Sequence, residues 1–168
     1  MNDLINLVNE HGVITGRMER AEMKANDRCL VVALWITNNL GDVLLAKRGP
    51  RQTVNPNMWS IAVEGMVDIG EAQKDAAKRE AFEELGLRNL DIPDAIVGHI
   101  NHGSSRGLRH KQVYAISASI SEDDIFLEDK GEVAAIKFVK TVELRPIWEA
   151  EPDSFVGHFP LFLELFDL

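Results

Sequence analysis

The 168-residue sequence predicts one α/β domain. Three observations carry that prediction. Short apolar runs rich in β-branched residues recur along the chain, as half-buried or buried strands do. One central segment has helical period, with apolar residues on one side and acids on the other. A second segment of helical spacing, rich in phenylalanine, lies near the C-terminus.

In chain order, Leu4 to Val8 reads as a short strand, Glu10-His11-Gly12 as a turn and Val13 to Gly16 as a second strand before a charged connector. Leu30 to Ile36 (LVVALWI) is a largely buried strand; Asn38 to Asp42 (NNLGD) is a turn signal, and Val43 to Ala46 completes a hairpin. Arg48 to Asn57 (RGPRQTVNPN) reads as a loop by its two prolines and polar content, and Trp59 to Val63 as one further strand. A helix begins near Ala72 and stops at Gly86, a residue suited to the left-handed conformation that ends helices. On that helix Ala77, Ala81 and Leu85 recur on one face with Phe82 beside them, and the glutamates take the other side. Ile96 to Ile100, Val113 to Ile120 and Ala134 to Val139 are the remaining strand candidates, with NHGSSRGLRH as a polar loop between the first two. Phe155, Phe159, Phe162, Leu163 and Phe166 keep helical spacing, and Pro160 either kinks that helix or starts its last segment.

Composition narrows the function classes. The apolar fraction of 45% and charged fraction of 27% are those of a globular protein. A net charge of −9 argues against binding nucleic acid or an anionic membrane through a broad basic surface, although small polyphosphates remain open if metal ions supply positive charge. Cys29 is the only cysteine, which fits a reducing, cytoplasmic setting and rules out a thiolate metal cluster. The N-terminus, with Asp3 and Glu10 around a broken apolar pattern, does not read as a signal peptide, and no run approaches the length that spans a membrane.

The chemistry concentrates between Gly65 and Leu87 (GMVDIGEAQKDAAKREAFEELGL). Glu80, Glu83 and Glu84 crowd three like charges into one helical turn, an arrangement that costs a few tenths of a kcal/mol per pair unless a cation sits there. Hard cations such as Mg²⁺ or Mn²⁺ prefer carboxylate and carbonyl oxygens, and adjacent helical turns can hold several rigidly. Arg79 stands four residues before Glu83 and four after Asp75, where it can neutralise and orient acidic neighbours. Glycines at 65, 70 and 86 permit a tight backbone that brings a loop against the helix.

The same segment fits the pattern G-x5-E-x7-R-E-U-x-E-E-x-G-U, with U apolar, at every fixed position: Gly65, Glu71, Arg79, Glu80, Ala81, Glu83, Glu84, Gly86 and Leu87. On that pattern the chain resembles the Nudix hydrolases. The resemblance implies an α/β/α sandwich with a mixed β-sheet between helices, and Mg²⁺- or Mn²⁺-dependent hydrolysis of the diphosphate bond in a nucleoside diphosphate linked to another group. It makes Glu80 and Glu84 metal ligands, Glu83 a ligand or its close support, and Glu71 a contributor through water or from behind the ligands. The peptide carbonyl before the box glycine, here that of Glu64, also meets metal in the family. The general base varies among relatives: a box glutamate, or a carboxylate on a distant loop, for which Glu132 and Glu128 are the candidates here. The implied partner is a small nucleotide or diphosphate substrate, with nucleic acid limited to an RNA 5′ end; many relatives pair into homodimers.

A wider resemblance, over roughly Leu4 to Val139, is to the Nudix subgroup related to isopentenyl-diphosphate isomerase, through LVNEHGVITGRMERAEM and NPNMWSIAVEGMVDIGE. The isomerase needs a cysteine just before the box glycine, where this chain has Glu64. It also uses carboxylates where this chain offers His110, Lys111 and Gln112. Both departures favour phosphate chemistry over isomerisation; the other alternative, a non-catalytic nucleotide-binding regulatory module on the same fold, has no need of all three clustered carboxylates.

Outside the box, Lys111, Arg109 and Arg106 suit substrate phosphates, and Arg48 and Arg51 phosphate or ribose. His99, His102 and His110 fit no compact zinc spacing. Trp148 is a candidate to stack on a nucleobase, whereas Trp59 and Tyr114, in or beside strands, are expected to pack in the core. Downstream of the box there is neither the proline typical of ADP-ribose enzymes nor the tyrosine typical of dinucleoside polyphosphate enzymes, so the sequence leaves the substrate open.

Overall fold

The computed structural model describes residues 4–127 and 131–168; Asp3 and Glu128 lie outside the described residues. The chain runs β1 (Leu4–Val8), β2 (Ile14–Glu19), β3 (Arg28–Thr37), β4 (Val43–Arg48), β5 (Trp59–Ile61), β6 (Val63–Met66), α1 (Gln73–Leu85), β7 (Gly98–Ser104), β8 (Gly107–Ser117), β9 (Val133–Val139), α2 (Leu144–Ala150) and α3 (Phe159–Leu165). Short 3-10 turns join several of them. No helix among the described residues is long and apolar enough to cross a membrane.

β3 organises the sheet. β8 lies parallel along it from Arg28↔Leu108 to Thr37↔Ser117. β8 fills one edge, so the other is shared in succession by β1 at Cys29, β6 at Val31–Leu34 and β4 at Thr37, all antiparallel. The result is a mixed sheet of nine strands. Both faces of β3 are buried, which explains why it reads as an unbroken apolar run. Leu30, Val32, Leu34 and Ile36 pack with Ala76, Ala77, Ala81 and Leu85 of α1. Ala33 and Trp35 face the other way, into Leu144, Phe159, Phe162 and Leu163 of α2 and α3. The α/β/α sandwich expected from the sequence is therefore present, with a core on each side of the sheet.

Several expected elements differ. Trp59–Val63 is not one strand: the chain changes partner at Ala62, so β5 pairs with β4 while β6 pairs with β3 and carries the box glycine as part of the sheet. The polar stretch NHGSSRGLRH is not a loop but most of a long hairpin, β7 and β8, turning at Ser104–Gly107. Its polar residues are tolerated because one side of that hairpin borders a cleft rather than core. α2 was not legible, and Pro160 starts α3 rather than kinking it. Phe155 precedes that helix yet is buried against it, its ring centroid 4.6 Å from that of Phe159.

α1 lies close to the sheet because its inward residues are alanines, and Gly86 ends it in the left-handed conformation at φ 69°. Ala81, with no exposed surface, leaves no room for a larger side chain. Ala81→Leu is expected to destabilise the protein by about 1–3 kcal/mol in urea unfolding, through overpacking that lifts α1 from β3. Unchanged stability would contradict this packing.

Candidate active site

β6 sorts the box residues by strand alternation. Val63 faces the α1 core, and so does Gly65, where a Cβ would overlap the Glu80 carboxyl. Glycine at 65 is thus required by the closeness of Glu80, not by an unusual φ. Glu64 points the other way, toward α3. There its carboxylate meets Lys111 Nζ, accepts from Ser60 Oγ, and lies 3.2 Å from His158 Nε2. The Glu64 backbone N–H donates to Glu84 at 3.4 Å, so the two faces of the sheet join at this point.

Arg79 is the hub of the box. Its Nε and Nη2 donate to the two oxygens of Glu71, both at 2.9 Å, and Nη2 also reaches the Met66 carbonyl at 2.9 Å. Nη1 donates to Glu80 at 2.8 Å and to Glu83 at 3.4 Å. Glu71 is further tied to the Asp68 N–H at 3.1 Å. The sequence placed Glu71 among the metal-site residues and Asp75 beside Arg79; in the structure Glu71 spends both oxygens on fixing Arg79, and Asp75 makes no ion pair with it among the described residues. Eight residues separate Glu71 from Arg79, but the loop before α1 folds back and brings them together.

The electrostatics follow from burial. Burial pushes the Glu80 carboxyl up to about 7, against the lowering effect of Arg79, and Glu83 and Glu132 add to the rise. Glu84 is raised well above the ordinary carboxylate value by burial and by Glu80, with Arg48 opposing. Arg79 is held protonated by Glu71 and Glu80. Burial, with Arg48 nearby, pushes the Lys111 ammonium down, while contact with Glu64 works against that. His158 is lowered by burial and Lys111, so it is neutral and its Nε2 accepts from Lys111 at 2.7 Å.

These groups line a cleft of about 720 Å³, a size suited to a nucleotide-sized ligand. Asp68, Glu64, Glu80, Glu83, Glu84 and Glu132 supply its acids; Arg20, Arg48, Arg79, Arg106, Arg109 and Lys111 supply its cations. Arg51 is not part of it. The chain turns at Gly49–Gln52 and sends Arg51 toward Gly131, outside the cleft lining. Arg48 stays in, anchored to the Val54 carbonyl at 3.0 Å. The histidines form two stacked pairs, His99 with His110 and His102 with His158 at 4.1 Å between centroids. Trp148 packs against the α2–α3 core, Tyr114 is buried beside α1, and Lys137 covers Trp59 at 4.3 Å. None of these three aromatics lines the cleft.

His158 and Arg20 were not singled out from the sequence. His158 sits just ahead of α3, and Arg20 lies in the charged connector after β2; no spacing ties either to the box. The cleft's oxygen-rich donor set suits a hard divalent cation, and the raised Glu80 and Glu84 are what crowded carboxylates show before a cation neutralises them. With Glu80 and Glu83 drawn to Arg79, no three His, Cys, Asp or Glu side chains among the described residues form a closed ligand set.

Glu80 gives a signed pH prediction. Its folded value of about 7 lies above the ordinary 4.5, so folding takes up a proton between these values and stability falls as pH rises through that window. In EDTA, Glu80→Gln should therefore gain stability relative to the native protein as pH goes from 5 to 8, by on the order of 1–3 kcal/mol. A difference that is flat across that range would contradict the assignment.

Comparison with known proteins gives the following likenesses. The NUDIX domain description matches residues 27–159. A Nudix hydrolase of Listeria monocytogenes is 30% identical over 164 residues, 96% of this chain and 92% of that protein. The isopentenyl-diphosphate Delta-isomerase of Shigella flexneri is 27% identical over 73% of this chain and 69% of its own length. Among solved structures, DR0079 from Deinococcus radiodurans superposes with a TM-score of 0.75 at 19% identity, covering 96% of this chain and 97% of that one. The NUDIX domain of Shewanella oneidensis NrtR, complexed with ADP ribose, gives 0.63 at 13% identity, over 89% and 91% of the two chains.

Proposed function

The chain belongs to the Nudix family of hydrolases, enzymes of phosphorus-containing anhydrides, and on that premise we propose that it is a Mg²⁺- or Mn²⁺-dependent pyrophosphohydrolase. It cuts the diphosphate bond of a nucleoside diphosphate linked to another group, by attack of water on phosphorus. One observation carries the reading: three box glutamates share a cleft in which Glu80 and Glu84 are pushed toward protonation while Arg79 holds the helix face in place. Such a site gains most from a divalent cation.

Glu80 and Glu84 would hold the ion, with Glu83 and the Glu64 carbonyl completing the oxygen set. When bound, the ion supplies charge neutralisation for the diphosphate and makes water a better nucleophile near neutral pH. Arg79 and Glu71 keep Glu80 and Glu83 in position. Glu132, which borders the cleft near enough to raise Glu80 and Glu84, takes the proton from the attacking water. Arg48 and Lys111 receive oxygens of the diphosphate that is cut, Lys111 from its fixed place beside Glu64. A neighbour of the same fold carries ADP ribose, which supports a nucleotide as the ligand class.

The likeness to the isomerase makes that enzyme the second reading. Against it stands Glu64, engaged by Lys111 and Ser60 where a thiol is needed; Cys29 is buried in the separate cluster with Ile5 and Val31. The protein should therefore leave isopentenyl diphosphate unisomerised.

Released phosphate products from a panel of nucleoside diphosphate sugars, dinucleotides, nucleoside di- and triphosphates and capped RNA, with Mg²⁺ or Mn²⁺, test the proposal. Glu84→Gln is expected to lower kcat by at least about 10²-fold, and Glu132→Gln by about 10²–10⁴-fold, each with an unchanged circular dichroism spectrum. Near-normal turnover by folded Glu84→Gln would remove it from the ligand set.

A further inference from the structure

One wall of the cleft is left unused by the acids. Arg20 reaches it from the turn after β2, and Arg106 and Arg109 from the β7–β8 hairpin. The hairpin turn is docked on the 20–27 segment. Leu108 N–H donates to the Asp27 carbonyl at 2.8 Å, and Gly107, at φ 97°, leaves no space for a side chain: a Cβ would come within 2.7 Å of the Lys24 carbonyl. Ser104 Oγ ties the turn internally, accepting from Arg106 N–H at 3.2 Å and donating to the Gly107 carbonyl at 2.9 Å. This docking is what brings Arg20 to the same wall as Arg106 and Arg109, more than eighty residues further along the chain.

Arg109 is held by its own backbone neighbourhood. Nη1 donates to the carbonyls of Arg106 and Leu108, each at 3.1 Å, and lies 3.6 Å from Met23 Sδ, while Nε and Nη2 find no hydrogen-bond partner among the described residues. Nor does Arg20, Arg106 or Arg109 make an ion pair with an acid among the described residues, although the chain carries 27 acids against 18 Lys and Arg. Two of them act on one point: Arg109 and Arg20, with Lys111, oppose the upward push of burial on Cys29. One guanidinium tethered to the hairpin and two exposed ones beside it, all without carboxylate partners among the described residues, present donors that suit a phosphate.

We propose that Arg20, Arg106 and Arg109 form a second anion site, which takes a phosphate that the substrate carries beyond the bond cut at the box. The inference rests on the pyrophosphohydrolase reading and narrows it: the group linked to the nucleoside diphosphate is itself anionic, as in a nucleoside triphosphate, rather than a neutral sugar.

Two measurements test it. Calorimetry with inorganic pyrophosphate in EDTA at low salt removes the metal and isolates the basic wall. The native protein should bind, Arg106→Ala/Arg109→Ala should bind at least about ten-fold more weakly, and Arg106→Lys/Arg109→Lys should recover most of the loss. No binding by the native protein, or equal binding by the alanine variant, overturns the site. With Mn²⁺, the ratio of kcat/KM for a nucleoside triphosphate to that for a nucleoside diphosphate sugar of the same base should fall at least about ten-fold in the alanine variant. An unchanged ratio overturns the substrate class. If the native protein turns over neither substrate, the hydrolase reading fails, and the pyrophosphate titration still decides the anion site.

Discussion

Arg79 is the constraint on which the rest of the site depends. A single guanidinium binds Glu71 through two donors, reaches Glu80 and Glu83, and closes on the Met66 carbonyl at the end of β6. It thereby fastens the loop before α1, the acidic face of α1 and the last residue of a sheet strand to one another. The arrangement is mutually enforcing, because a planar fork with fixed donor directions accepts few geometries. It also leaves Glu84 as the least compensated carboxylate of the three: its backbone contact with Glu64 is long, and Arg48 opposes its upward shift only in part.

The fold makes that network possible by keeping α1 against the sheet. Alanines at 76, 77 and 81 let the helix approach, and Gly65 lets Glu80 lie directly over β6. Strand alternation then separates two charge systems that adjoin in one cleft. On the α1 side stand the box carboxylates with Arg79. On the α3 side stands the buried Lys111, between Glu64 and a neutral His158. The first suits cation binding and the second suits placement of an anion, which is the division of labour that diphosphate hydrolysis needs.

The sequence made the box legible because its chemistry lies on one helix, where spacing translates directly into a shared face. The central strand was legible for a related reason: β3 is buried on both sides, and its apolar run has no other use. What the sequence hid depends on contacts between distant segments. The part Glu71 plays in holding Arg79 was hidden because only the fold of the loop before α1 brings the two together. NHGSSRGLRH looked like a loop because its residues border a cleft and solvent rather than core, so polarity misreported a β-hairpin. Trp59–Val63 looked like one strand because its change of partner at Ala62 leaves no break in hydrophobicity. Arg51 and Arg48 were equivalent in sequence, and only the turn at Gly49–Gln52 separates them.

At the centre of this account, Glu80 and Glu84 are carboxylates whose burial favours the proton, so that a divalent cation binding there competes with it. Titration calorimetry of Mn²⁺ at about pH 6.5, in two buffers of different ionisation enthalpy, measures that exchange directly. The account predicts saturable binding with a buffer-dependent heat corresponding to on the order of one proton released, reduced in Glu80→Gln. Saturable Mn²⁺ binding with no proton release, or no binding at all, would contradict it.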